Sequence, residues 1–349
     1  MRSFDPEIAA AQATIAESTA KLVTVADACK LWLDRSESTS TNWSRSMYRS
    51  AAKKLLKWAE RHRIEYVQDI TPMMLQQWYT SADWKHYAET SKRQRWVVYR
   101  SMFRFWHERE VLEKNPIIAI RPVRLSGDVR QGPYTETQIA DIFAAVPKVD
   151  ITSTNISVEE KRVFASRLDA FITLLLHTGC DVVDAVLFNK ANLTSHTVDG
   201  RRVYVYRYDR EKTGISAVIP VADDVARVLL DVPMLKCNPD GMSFRWEGNR
   251  QADVQVWQYR VKQLLRESGV KWVELPRSKD GKARRKAANV KQFRHTFAIR
   301  QLVAGQRDET VARMMGHSDT KMIRRHYGAW VKERDDAHIR EVVEVRAGL

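Results

Sequence analysis

Two short segments rich in β-formers, Val203-Tyr-Val-Tyr-Arg-Tyr208 and Ser216-Ala-Val-Ile-Pro220, interrupt a chain that is otherwise patterned as helices. Alternation over so few residues is the pattern of a half-exposed strand, and the intervening Glu211-Lys212-Thr213-Gly214 reads as a hairpin turn. The expected architecture is mainly α with a small antiparallel β-sheet, an α+β fold.

The helical pattern begins at Val25, where Val25, Ala28, Cys29 and Trp32 recur at helical spacing. The block from Thr41 to Arg61 places Trp43, Tyr48, Leu55, Leu56 and Trp58 among many Lys and Arg. Thr71-Pro72 reads as a cap followed by a first-turn proline, opening a helix that carries Met74, Leu75, Trp78 and Tyr79. A fourth helix is expected from about Ser91 to Arg109, with Val97, Val98, Met102, Phe103 and Trp106 as its apolar face. Residues 21–121 therefore read as a small helical domain after an Ala- and Ser-rich tail of residues 1–20. Residues 122–133 combine turn formers and scattered charge without periodicity, as a linker does. Thr135-Glu-Thr-Gln138 resembles a capping box and opens the second domain, residues 134–349. In it, Phe164 to Leu176 is an apolar helix ending at Gly179. Helices are expected again over Val221–Leu230, Val254–Ser268 and from Val290 onward.

Lys and Arg number 58 against 43 Asp and Glu, a net charge of +15. That excess favours a polyanionic partner, nucleic acid before an anionic membrane. Candidate phosphate contacts are Arg45, Arg49 and Lys53, then Lys92, Arg93, Arg95 and Arg100, and finally Lys282, Arg284, Arg285 and Lys286 in a basic stretch near Gly281. The three cysteines, Cys29, Cys180 and Cys237, form neither a metal-ligand pattern nor a disulfide framework, which fits a reducing compartment. The start lacks the apolar core of a signal peptide, and the longest apolar stretch, around Phe171 to Leu176, is too short to span a bilayer. A soluble, cytoplasmic protein with no membrane partner is expected.

Near the C-terminus, Lys291-Gln-Phe-Arg294-His295-Thr-Phe precedes Gly316-His317-Ser318 and then Tyr327. An arginine grips a phosphate, a histidine hydrogen-bonds it or moves a proton, and a tyrosine hydroxyl attacks it. No metal-ligand set accompanies them, and no cofactor is expected. Each residue also has a plainer reading. Lys291 and Arg294, three apart, suit a solvated cationic face. His317 suits a structural histidine at a helix end, Tyr327 a core aromatic, and Lys212 an ordinary exposed lysine on a turn.

Taken together, these segments resemble the tyrosine recombinases, the phage integrase family. The resemblance rests on Thr178-Gly179-Cys-Asp-Val-Val-Asp184, Lys212-Thr-Gly, Phe293-Arg294-His295-Thr-Phe, Met-Met-Gly316-His317-Ser318 and His326-Tyr327. It implies a tyrosine recombinase catalytic domain over residues 134–349 and a helical core-binding (SAM-like) DNA-binding domain over 21–121. By that resemblance Tyr327 is the nucleophile that forms a 3′-phosphotyrosine. Arg294 holds the non-bridging oxygens, His317 supports the same phosphate, and Lys212 protonates the leaving 5′-oxygen. Lys291 falls where the family usually has histidine. The implied activity is site-specific cleavage and rejoining of double-stranded DNA without metal or ATP, as in phage integration or a mobile element. The implied assembly is a homodimer or homotetramer on the DNA, nucleoid-associated when bound, with the two domains clamping the duplex.

One position departs from the family. Asp181 stands where the first catalytic arginine belongs. A carboxylate about 4 Å from a phosphate oxygen costs on the order of 4 kcal/mol at an effective dielectric near 20. Each 1.36 kcal/mol is roughly tenfold in rate, so a large loss of activity is the simple expectation. Lys190, Arg162 and Arg167 lie too far along the chain to be obvious replacements, and Arg284 or Arg285 is left as a candidate that nothing in the sequence places there. Two readings follow: a working recombinase, or a catalytically impaired recombinase-fold protein that acts as a sequence-specific DNA-binding protein or regulator.

Overall fold

The computed structural model describes residues 22–39, 42–121, 132–149, 157–238, 241–246, 249–275, 284–328 and 343. The expected tail of residues 1–20, most of the 122–133 stretch, Lys282 and the side chain of Arg284 lie outside the described residues. The chain divides into two compact units, Met1–Gly127 and Asp128–Leu349.

The first unit holds helices α1 (Val25–Thr39), α2 (Asn42–Arg61), α3 (Pro72–Thr80), α4 (Ala82–Lys85) and α5 (Glu89–Glu108). The Thr71 hydroxyl accepts from the Met74 amide and Pro72 occupies the first turn of α3, as its sequence requires. Helix α4 has no counterpart in the sequence reading. It is a single turn started by Ser81, whose hydroxyl accepts from the Asp83 amide. The core is aromatic, with Trp78 at its centre, 4.7 Å from Trp58, 5.0 Å from Tyr99 and 5.5 Å from Trp84. The apolar face of α5 is corrected in one place. Val97 is 57% exposed, while Trp96, Tyr99 and Phe105 are buried with Val98, Met102, Phe103 and Trp106. A helical stripe through 96, 99 and 103 leaves position 97 on the outer side.

The second unit starts with α6 (Glu136–Ala145), where the capping box is complete. The Thr135 hydroxyl accepts from the Gln138 amide and the Gln138 side chain accepts from the Thr135 amide. The central helix α7 (Val158–Thr178) is followed by the short α8 (Val182–Val186). Phe171 of α7 stacks on Trp257 of α10 (Arg250–Glu267), with ring centroids 4.1 Å apart.

The hairpin is present, β2 (Arg201–Asp209) pairing antiparallel with β3 (Ser216–Val221). A strand that the sequence did not suggest, β1 (Leu193–Val198), adds to the other edge of β2. Only Leu193 of β1 is buried, so the strand lacks the apolar alternation that marks its neighbours. Helix α9 (Asp223–Leu230) follows the sheet, and a second antiparallel pair, β4 (Trp272–Leu275) with β5 (Arg284–Ala287), brackets the basic stretch. Helices α11 (Lys291–Val303) and α12 (Asp308–Met314) and the helical residues 321–328 complete the described unit.

Candidate active site

Helix α7 ends because Gly179 adopts a left-handed backbone, φ 63°. A Cβ at this position would lie 2.4 Å from Cδ1 of Phe297, so helix α11 packs directly against the turn. That contact brings the first turn of α11 to the end of α7. Arg294 is buried there, its Nη1 donating to the Gly179 carbonyl at 2.5 Å and its Nη2 to the Met315 carbonyl at 2.7 Å.

Gly316 closes α12 in the same left-handed region, φ 61°, with its amide and that of His317 bonded back to Arg313 and Ala312. The turn delivers His317 to Arg294, with Nε2 of His317 3.1 Å from Nη2. A guanidinium cannot accept a hydrogen bond, so Nε2 is the acceptor and the proton sits on Nδ1. Burial, reinforced by Arg294 and Arg210, pushes the His317 imidazole down to about 4, consistent with a neutral ring. Its Nδ1 is buried without a protein partner, a donor available to an oxygen.

Tyr327 is 3% exposed, and its hydroxyl lies 2.7 Å from Nδ1 of His295, one helix position after Arg294. Burial raises the phenol above its ordinary range, with Arg294 opposing. Burial also drives His295 down to about 3, helped by the cations Lys286, Arg294 and Lys291 and by His326. Tyr327, weighed from sequence both as a core aromatic and as a nucleophile, is buried and hydrogen-bonded. His295, which the sequence reading left without a role, is its partner.

Asp181 caps α8 by position, yet its carboxylate accepts no capping bond. Instead Oδ2 accepts from Nη2 of Arg210 at 2.6 Å, and Oδ1 lies 4.0 Å from Nε of Arg294. Burial would raise the Asp181 carboxyl, but the charge of Arg294 and the hydrogen bond and charge of Arg210 hold it below the usual carboxylate range. Beside it Asp184 accepts from the Glu211 amide at 2.9 Å and is pushed up to about 6, mainly by burial.

Of the basic residues weighed from sequence as answers to Asp181, those whose side chains are described are engaged elsewhere or exposed, and the side chain of Arg284 lies outside them. Lys190 donates to the Val232 carbonyl, and Arg167 to Pro233 and Asn238. Arg162 is exposed on α7, and Arg285 lies 3.6 Å from Glu274 and over the Trp272 ring. Arg210 was missed. It sits at the root of the hairpin, two residues before Lys212, and only the sheet brings it to α8.

The remaining candidates are more peripheral. Lys212 is exposed on the hairpin turn and Lys291 is exposed at the start of α11. In the first unit Arg49, Lys53, Arg93 and Arg100 are exposed, while Arg45, Lys92 and Arg95 are half-buried. Lys92 pairs with Glu89 at 3.6 Å and Arg95 stacks on the Tyr87 ring at 4.4 Å. Arg285 is exposed and Lys286 half-buried in the second unit. Among the described residues no group of three His, Cys, Asp or Glu is arranged to hold a metal ion, and no helix is long and apolar enough to cross a membrane.

A family model described as the phage integrase family matches residues 139–334. That is more than half of the chain, and the chain belongs to this family, the tyrosine recombinases. The fold agrees with that of solved members. A lambda integrase dimer bound to a COC′ core site superposes with a TM-score of 0.63 at 15% identity, over 95% of this chain and 82% of that one. XerH recombinase bound to a palindromic difH substrate gives 0.57 at 14% identity, over 81% and 75%. Tn1549 transposon integrase with a circular-intermediate DNA gives 0.57 at 16% identity, over 85% and 93%. Among curated proteins, the "putative defective protein IntQ" of Escherichia coli K12 is 40% identical over 48 residues, 14% of this chain. The chain spans 12% of that relative's length in the match.

Proposed function

We propose that this protein is a DNA-cleaving and rejoining recombinase that works through a 3′-phosphotyrosine at Tyr327. The observation that carries the reading is the grouping of buried Arg294 and Tyr327 with half-buried His317 and His295, which touch them. Arg294 and the Nδ1 proton of His317 hold the non-bridging oxygens of a scissile phosphate. The Tyr327 oxygen attacks phosphorus, the bond from phosphorus to the 5′-oxygen breaks, and the phosphate stays on the tyrosine. The hydroxyl proton leaves toward Nδ1 of His295, the nitrogen within hydrogen-bond reach, as the bond to phosphorus forms and weakens the oxygen's hold on it. Lys212, exposed on the turn, donates a proton to the departing 5′-oxygen, and Lys291 adds positive charge. Attack by the 5′-hydroxyl of another strand reverses these steps, so the bond energy is kept in the phosphotyrosine.

Double-stranded DNA is the proposed partner, bound by the outward basic residues of α2, α5 and β5, with assembly as a dimer or tetramer on the site. The solved relatives bound to DNA as dimers and tetramers support this. The two units, divided at the 122–133 stretch, serve as a core-binding domain and a catalytic domain. A cytoplasmic, DNA-associated location goes with that partner.

The test is covalent capture. Nicked duplexes of randomised sequence are incubated with the protein, the protein is denatured, and attached fragments are sequenced. Adducts that vanish in Tyr327→Phe are expected. Binding of selected duplexes without any adduct would favour the second reading, a DNA-binding regulator, to which the carboxylate of Asp181 in the pocket gives some support.

A further inference from the structure

Asp181 reverses the charge of the position where the family's first arginine stands, and the structure shows what answers it. Arg210 leaves β2 at the root of the hairpin, not at its tip. Its amide donates to the Ile215 carbonyl at 3.0 Å, and its own carbonyl accepts from the Thr213 and Gly214 amides. The backbone is therefore fixed on both sides. Its stem packs against Gly316, where a Cβ would lie 3.2 Å from Cδ and 3.3 Å from Cβ of Arg210. The next residue after that glycine is His317. The Arg210 side chain is 10% exposed, with one nitrogen on Asp181 and its Nε buried without a protein partner.

A buried guanidinium is normally satisfied at most of its five N–H groups. Here the carboxylate takes one edge and is itself shared, because its second oxygen faces Nε of Arg294. Two guanidiniums, one from β2 and one from α11, thus converge on a single carboxylate beside the His317 donor. Arg210 is planar and multidentate, so it keeps one nitrogen on Asp181 while presenting another to an oxyanion.

We propose that Arg210 is the phosphate-binding residue that replaces the family's first arginine, with Asp181 as the residue that positions it. This rests on the cleavage reading above. The pocket then holds its two arginines on β2 and α11 in place of the turn after α7 and α11. The rival account is that Arg210 merely neutralises Asp181. The two differ when both charges are removed together, which leaves the local net charge unchanged and Arg294 still bonded to the Gly179 and Met315 carbonyls.

The experiment compares adduct formation from the randomised nicked pool by the natural protein, Arg210→Ala, the double variant Asp181→Ala with Arg210→Ala, and the double variant Asp181→Arg with Arg210→Ala. Loss of one preorganised donor to the phosphate predicts a fall of about 10² to 10³ in the first two variants. Returning an arginine at 181 should recover at least about tenfold of that loss. Adduct formation by the doubly neutral variant within about threefold of the natural protein would overturn the proposal. If the natural protein forms no adduct at all, the cleavage reading falls, yet Arg210 is still tested by binding. On duplexes enriched by binding from the same pool, the slope of log affinity against log salt should fall by about 1 in the doubly neutral variant. An unchanged slope would overturn the proposal there. Melting curves identify any variant that fails to fold, and the doubly neutral pair stands in for Arg210→Ala in that case.

Discussion

The hydroxyl of Tyr327 lies 2.7 Å from Nδ1 of His295, inside the protein and not at its surface. Burial raises the phenol and lowers the imidazole, so the proton rests on Tyr327 and the hydroxyl donates to Nδ1. Replacement His295→Phe keeps a ring of similar size and removes that nitrogen. It should slow single-turnover adduct formation by about 10² while leaving duplex affinity within about twofold. Adduct formation at the natural rate would remove His295 from the chemistry.

The same burial makes stability depend on pH. His295 and His317 are held near 3 and 4, below the ordinary value of about 6.5, so the unfolded chain binds their protons first as pH falls. Their full contribution is present above pH 6.5 and is lost as pH drops toward 4. Asp184, raised to about 6, works the other way and gains as pH falls. The histidines outnumber it, so the unfolding free energy should be lower by on the order of 2 kcal/mol at pH 5 than at pH 7. Denaturant unfolding at the two pH values checks this, and the pair of replacements His295→Gln and His317→Gln should remove the loss at pH 5 and leave the opposing trend of Asp184. Equal stability at pH 5 and pH 7 would contradict it.

Exposed Arg49, Lys53, Arg93 and Arg100 lie on α2 and α5 of the first unit, and Arg285 on β5 of the second. If about six to ten phosphates are neutralised, duplex affinity should fall by roughly 10³ to 10⁵ between 50 and 200 mM salt. Fluorescence anisotropy over that range reads the slope. An affinity that hardly moves would exclude a large electrostatic footprint.

Two glycines with similar backbones should respond very differently to alanine. Gly179 has φ 63° and its new Cβ would meet the Phe297 ring at 2.4 Å, whereas Gly200 has φ 75° and nothing within 4 Å. Gly200→Ala carries only the backbone strain, on the order of 1 kcal/mol. Gly179→Ala adds a ring that must move, for a total of about 3 kcal/mol or more. Equal shifts in melting temperature would mean that α11 does not rely on close approach to this turn.

Local chemistry made much of this molecule readable in advance. Thr71 with Pro72, Thr135 with Gln138 and Gly179 each act through neighbours two to four residues away, so their caps follow from sequence. The hairpin is equally local. Strand β1 was hidden because its side chains after Leu193 face solvent and carry no apolar alternation. The order of Arg294, His317 and Tyr327 was legible, but the His295–Tyr327 contact spans 32 residues and the Arg210–Asp181 contact 29. No spacing rule reports pairs that the sheet and a helix crossing create.

The root of the hairpin also bears on how sequences of this kind are sorted. A pattern search that demands arginine two places after the Thr178-Gly179 pair would file this chain among defective relatives. Such a search looks at one column, while the bond from Arg210 to Asp181 ties two columns together. In this chain the aspartate after the glycine turn, the arginine two before the hairpin lysine and the glycine at 316 that leaves room for the arginine's stem form one linked set.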